Sequence, residues 1–123
     1  MERELLYTQA ICEATEQMME KDPSVFVMGL GVDDPKAIMG TTQGLVDKFG
    51  PERIFDTPLA EDGMTGVAIG SALAGLRPIH VHIRTDFLML AMNQLINMAA
   101  KTHYMYGGQE HVPLVVRAMI GKS

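Results

Sequence analysis

The sequence predicts an α/β fold, a mostly parallel sheet with helices on both faces. Three short and mainly apolar runs carry that prediction: SVFVMG at 24–29, PIHVHI at 78–83 and VPLVVR at 112–117. Strands of a parallel sheet are buried on both faces, so they read as near-continuous apolar runs. Between them lie longer segments whose apolar residues recur every three or four positions, the period of a helix. Gly, Pro and Asp separate the two kinds of segment, and helix alternating with strand is the pattern of a layered α/β domain.

Residues 4–21 read as a helix, with Leu6, Ala10, Ile11, Ala14 and Met18 on one face and Asp22-Pro23 as its stop. The 24–29 run follows as a buried strand, and 31–40, with Asp33, Asp34 and Pro35, as a loop. Thr41 or Thr42 is placed to cap a short helix reaching Phe49, closed by Gly50-Pro51. A brief strand at 53–55 leads through a Pro-containing turn into a helix at 62–74, with Gly75 as its C-terminal cap. A strand at 78–83, a long helix at 87–106 ended by Gly107-Gly108, and a strand at 112–117 complete the order. A parallel unit that stops after a strand lacks its next crossover. Residues 1–123 are therefore expected to be the N-terminal portion of a larger protein or of a split subunit.

At 123 residues the chain forms one domain around a single core. Its net charge of −5 and the lack of any Lys/Arg cluster argue against a nucleic-acid groove or an anionic membrane as partner. The lone Cys12 allows no disulfide framework and suits a reducing compartment. The N-terminus has no secretory pattern, and no apolar run approaches the roughly 20 residues that span a bilayer. A soluble cytoplasmic domain is expected, or a mitochondrial matrix one if a transit peptide is removed. Met18, Met19, Met89, Met92, Met98 and Met105 fall mostly at helical spacings and read as core or interface filler.

The segment that carries chemistry is 56–75, DTPLAEDGMTGVAIGSALAG. It delivers Glu61 and Asp62 to the head of a helix, where exposed N–H groups and the positive dipole end favour carboxylates. Simple helix capping is the bland reading. Gly63, Gly66, Gly70, Ser71, Ala72, Ala74 and Gly75 leave little bulk on that helix. Each helix-interior Gly costs roughly 1 kcal/mol against Ala, so a helix, a second subunit or a flat cofactor is expected to approach closely. Ligands of parallel sheets bind outside the strand carboxyl ends, which is where Glu61 falls. A carboxyl group there, partly dehydrated by a tight apolar helix, is suited to act as a neutral acid and donate a hydrogen bond.

Other motifs fail. Gly29-Leu30-Gly31 invites a dinucleotide fingerprint, but its third glycine position holds Asp34, which would repel a pyrophosphate. Gly121-Lys122-Ser123 resembles the end of a phosphate loop whose first glycine position is Val116. His80 and His82 share one strand face at metal-ligand spacing without a third ligand nearby, and read as structural or subunit-facing. His103 and His111 flank the end of the long helix.

Three separated blocks give the chain a family resemblance: ERIFDTPLAEDGMTGVAIGSALAGLRPI at 52–79, QLINMAAKTHYM at 94–105 and GGQEHVPLVVRAMIGKS at 107–123. Residues 5–123 resemble the N-terminal part of the beta subunit of thiamine-diphosphate-dependent 2-oxo acid dehydrogenases, of the pyruvate, branched-chain or acetoin type. The fold so implied is a transketolase-like pyrimidine-binding domain, with the C-terminal domain outside this chain. The resemblance implies that Glu61 hydrogen-bonds the aminopyrimidine ring nitrogen of thiamine diphosphate and that Phe87 packs near that ring. It also places Leu90 at the cofactor, where family members commonly carry Gln. Leu114 matches the first position of a potassium site formed by backbone carbonyls in some members. Arg84-Thr85-Asp86-Phe87 departs from the aromatic-rich run of pyruvate-type members, which leaves the 2-oxo acid open.

The implied partners are an alpha subunit, which binds the diphosphate and magnesium in an alpha-two-beta-two assembly, and a lipoyl acyltransferase that accepts the acyl group. Oxidative decarboxylation is expected only with the alpha subunit present. A split transketolase-type subunit and a non-catalytic interaction module are the rival readings.

Overall fold

The computed structural model describes residues 3–34 and 36–121. Pro35 of the expected loop and Lys122 and Ser123 of the terminal motif lie outside the described residues. Four strands, β1 (Val25–Gly29), β2 (Ile54–Asp56), β3 (Arg77–His82) and β4 (Val115–Ala118), form one sheet in the order β2-β1-β3-β4. Every pairing is parallel. The expected α/β layering is present, with all three carboxyl ends of β1, β2 and β3 on one edge.

Alternation along β1 divides the core. Val25 and Val27 join Met19, Val32, Ile38, Leu45, Ile54 and Val81 on one face, under helix α1 (Tyr7–Lys21). Phe26 and Met28 join Ala68 on the other face, under helix α3 (Glu61–Leu73). The helix α2 (Leu45–Phe49) connects β1 to β2. Among the described residues no helix is long and apolar enough to cross a membrane.

Several expectations shift. Helix α1 buries Thr15 and Met19, whereas Leu6 and Met18 of the expected face are exposed. The Thr15 hydroxyl donates to the Ile11 carbonyl at 2.9 Å, so a polar residue enters the core without an unpaired group. The Arg53 guanidinium donates to the carbonyls of Met19 at 2.9 Å and Asp22 at 3.1 Å, tying the end of α1 to β2. Neither Thr41 nor Thr42 caps α2. Its N-cap is Gly44 in the left-handed region, and the Thr41 hydroxyl donates instead to the Ile38 carbonyl.

The long helix expected at 87–106 is a chain of unlike helical turns. Helix α4 (Thr85–Leu88) passes into a 3₁₀ turn at Met89–Ala91, then into i→i+5 bonding over Asn93–Ala99, and ends as α5 (Ala100–Met105). Apolar periodicity reports which side faces the core, and it is blind to which carbonyl accepts each N–H. Strand β4 begins later than expected because Pro113 has no N–H and the Leu114 N–H is turned back to the Val112 carbonyl at 2.8 Å.

The small-residue surface of α3 is only partly explained within this chain. A side chain at Gly66 would lie 3.5 Å from Gln94, so another helical segment approaches there. Positions 63 and 70 face open space. Among the methionines, Met19 is buried in the core, while Met18, Met89, Met98 and Met105 are exposed.

Candidate functional site

The site is assembled at the carboxyl edge of the sheet, and the turn between β2 and α3 builds it. The Asp56 carboxylate accepts the Gly31 N–H at 2.7 Å, and the Thr57 N–H donates to the Gly29 carbonyl at 3.2 Å. Both bonds lash the turn to the end of β1. The Gly31 amide is thereby engaged by a carboxylate, consistent with the failed dinucleotide fingerprint. Ala60 leaves the turn in a non-helical conformation, and Glu61 is the first residue of α3.

Helix capping does not account for Glu61. The N-cap is Ala60, without a side-chain cap bond, and among the described residues the half-buried Glu61 carboxylate accepts no hydrogen bond. Instead the side chain lines a hollow of about 230 Å³ together with Leu30, Leu59, His82, Ile83, Arg84 and Phe87. The last residue of β3 and the segments that follow β1 and β2 contribute to this wall, at the edge where a parallel sheet places its ligands. Its character is apolar with a few polar groups set into it, the usual makeup of a site for a small flat organic group.

The structure brings Glu61 and Phe87 together, with Phe87 half-exposed at the rim. Leu90 lies one turn further on, exposed and outside that lining. Leu114 sits immediately before β4, at the opposite end of the sheet, packed against the Phe26, Met28 and Ala68 cluster.

His82 is the residue that sequence reasoning undervalued. Both strand histidines are 2% exposed and share the α3 face, with ring centroids 4.3 Å apart at an angle of 71°. Thr65 donates its hydroxyl proton to the Glu61 carbonyl at 2.7 Å, so at its 3.2 Å contact with that oxygen the His80 Nε2 must be the donor. His82 is the last residue of β3 and reaches the hollow, and its buried Nε2 has no partner among the described residues. Leaving such an atom unpaired costs about 1–3 kcal/mol. Burial lowers the proton affinity of His82, and the nearby Glu61 charge pulls it partly back.

Burial, and secondarily the neighbouring His82, push the His80 pKa down from 6.5 to about 4. A folded-state value below the unfolded one means that the unfolded chain binds protons first as pH falls. The corresponding stability is fully present above pH 6.5 and is lost progressively toward pH 4. The expected loss is on the order of 3 kcal/mol from His80, and His82 adds to it in the same direction. Urea unfolding of the protein and of His80→Gln between pH 7.5 and 4.5 measures it. Equal pH slopes for the two would refute the assignment to His80.

Residues 3–123 match the family described as transketolase, pyrimidine binding domain. The chain is 45% identical over 115 residues to the pyruvate dehydrogenase E1 component subunit beta of Rickettsia bellii, covering 94% of this chain and 35% of that protein. It is 43% identical over 121 residues to the mitochondrial pyruvate dehydrogenase E1 component subunit beta-2 of Oryza sativa subsp. japonica, covering 98% and 32%. A chloroplastic subunit beta-3 of Arabidopsis thaliana is 44% identical over 114 residues, covering 93% and 28%. The chain thus spans about a third of the length of the curated relatives it matches. With the parallel sheet, the site at its carboxyl edge and a match over nearly its whole length, the chain belongs to the transketolase pyrimidine-binding domain family.

Proposed function

We propose that this chain supplies the pyrimidine-binding half of a thiamine diphosphate site in a 2-oxo acid dehydrogenase, as part of its beta subunit. The observation that carries the proposal is the uncapped Glu61 carboxylate facing the same apolar hollow as Phe87. The residues present fit the group. An aminopyrimidine is flat and apolar on its faces, which suits Leu30, Ile83 and Phe87, and polar along its edge, which suits Glu61. When bound, the cofactor supplies a carbon nucleophile and an electron sink for decarboxylation. Glu61 holds a proton at its carboxyl oxygen, shared with the ring nitrogen. Leu30, Leu59 and Ile83 supply apolar surroundings for that hydrogen bond, and Phe87 orients the ring by contact with its face.

The diphosphate and magnesium are assigned to a partner alpha subunit, in an alpha-two-beta-two assembly of the cytoplasm, and potassium to carbonyls that include that of Leu114. The acyl group would pass to the lipoyl group of an acyltransferase. The similarity to pyruvate dehydrogenase beta subunits supports this assignment. The test is calorimetric titration of thiamine diphosphate with magnesium, into the chain alone and into its complex with a co-expressed alpha subunit. Binding in the complex alone is expected. An intact complex that binds no cofactor would overturn the proposal in favour of a non-catalytic interaction module, a role for which the exposed Val67, Leu73, Met89, Ile96 and Met98 are suited.

A further inference from the structure

We infer that His82 is a second polar contact to the heterocycle, its Nε2 holding the polar edge of the pyrimidine beside Glu61. The inference rests on the proposed thiamine diphosphate reading and adds a residue to it. Three observations carry it. His82 is 2% exposed and lines the hollow with Glu61, and its Nε2 finds no partner among the described residues. Buried polar atoms are nearly always paired, so an orphan on a residue that lines a cavity points to a polar atom of a ligand there. Its ring is also held in place. Edge contact with His80 fixes the imidazole, and His80 is fixed in turn by the Thr65 hydroxyl, which is anchored on the Glu61 carbonyl. One chain of contacts thus links the His82 ring to the backbone of Glu61 at the head of α3, the kind of support that a preorganised site requires.

The remaining polar residue of the lining, Arg84, is exposed and also borders a second, larger hollow beside Met39, Asp86 and Met119, so it is not confined to the ring. An aminopyrimidine edge carries ring-nitrogen acceptors next to an amine donor. A neutral imidazole nitrogen beside a carboxyl group complements that edge in either tautomer.

The test is the dissociation constant of thiamine diphosphate with magnesium, measured by calorimetry on the complex with the alpha subunit. His82→Phe keeps a flat ring and removes the nitrogen, and binding should weaken about fivefold to twentyfold. His82→Gln, which restores an amide donor and acceptor, should recover part of the loss. The diphosphate of 4-methyl-5-hydroxyethylthiazole, which has no pyrimidine, should bind wild type and His82→Phe equally. Should His82→Phe not fold, His82→Met takes its place, since an unbranched side chain adapts to the cavity.

If the folded His82 variants bind thiamine diphosphate as wild type does while Glu61→Gln weakens it, the His82 contact is refuted and the proposed function stands. If thiazole diphosphate binding falls in parallel, the effect is general damage to the site and the contact is again refuted. If neither Glu61 nor His82 variants alter binding, the reading of the hollow fails and takes this inference with it.

Discussion

Glu61→Gln is expected to abolish cofactor activation while leaving the fold nearly intact. The two effects separate because the carboxylate is not used structurally. The N-cap of α3 is Ala60, without a side-chain bond, and the Thr65 hydroxyl is anchored on the Glu61 backbone carbonyl, which the substitution keeps. The structural loss is limited to a charge at the positive end of a 13-residue helix, about 0.3–1 kcal/mol. The chemical loss is larger. Gln cannot share a proton with a ring nitrogen as a carboxyl group can, and proton transfer by a positioned side chain contributes about 10²–10⁴ in rate. Decarboxylase turnover in the reconstituted complex should fall by at least about a hundredfold, with a urea midpoint close to that of wild type. A stable variant with full turnover would sink the assignment of Glu61. A variant that loses both stability and turnover together would return the residue to a structural role.

The placement of Glu61 was legible because two local signals coincide on it. An apolar strand ends just before a Pro-containing turn, and a small-residue helix begins just after it, so the carboxylate had to emerge at the sheet edge where ligands bind. His82 was not legible in the same way. Alternation put it on one face with His80, but the strand end decides which of the two reaches the hollow, and the expected strand ran one residue too far. With β3 closing at His82, that side chain is at the rim and His80 is two residues inside, against Thr65. The buried face of α1 was displaced for a different reason. Thr15 satisfies its own hydroxyl against the preceding turn and therefore packs as an apolar residue would, which composition conceals. The glycines of α3 are accounted for only in part by contacts within this chain. Only position 66, of the three at 63, 66 and 70, has a neighbour within contact distance.

A glycine that sequence reading weighed only as part of a failed motif is expected to be the most sensitive in the chain. Gly29→Ala should destabilise the protein by about 3 kcal/mol or more, the sum of forced overpacking and a strained backbone. Gly29 closes β1 at φ 148°, where side chains are rarely accepted, and its added Cβ would lie 2.2 Å from the Val81 carbonyl oxygen and 2.8 Å from the Val81 nitrogen. Those atoms are backbone of the adjacent strand β3, so no rotamer change can relieve the contact, and β1 and β3 must part. The damage would also reach the site. The Gly29 carbonyl holds the Thr57 turn that presents Glu61, and the Leu30 N–H bonds the same Val81 carbonyl at 3.2 Å, one residue before His82. Gly75→Ala is the matched control. It too sits at positive φ, 97°, but with open space around it, so only the conformational cost of about 1 kcal/mol applies. Urea unfolding of both variants decides the matter. Equal losses would mean that backbone conformation alone, and not the closeness of β3, makes position 29 a glycine, whereas a larger loss at 29 that also lowers cofactor affinity would tie the packing of two central strands to the geometry of the site.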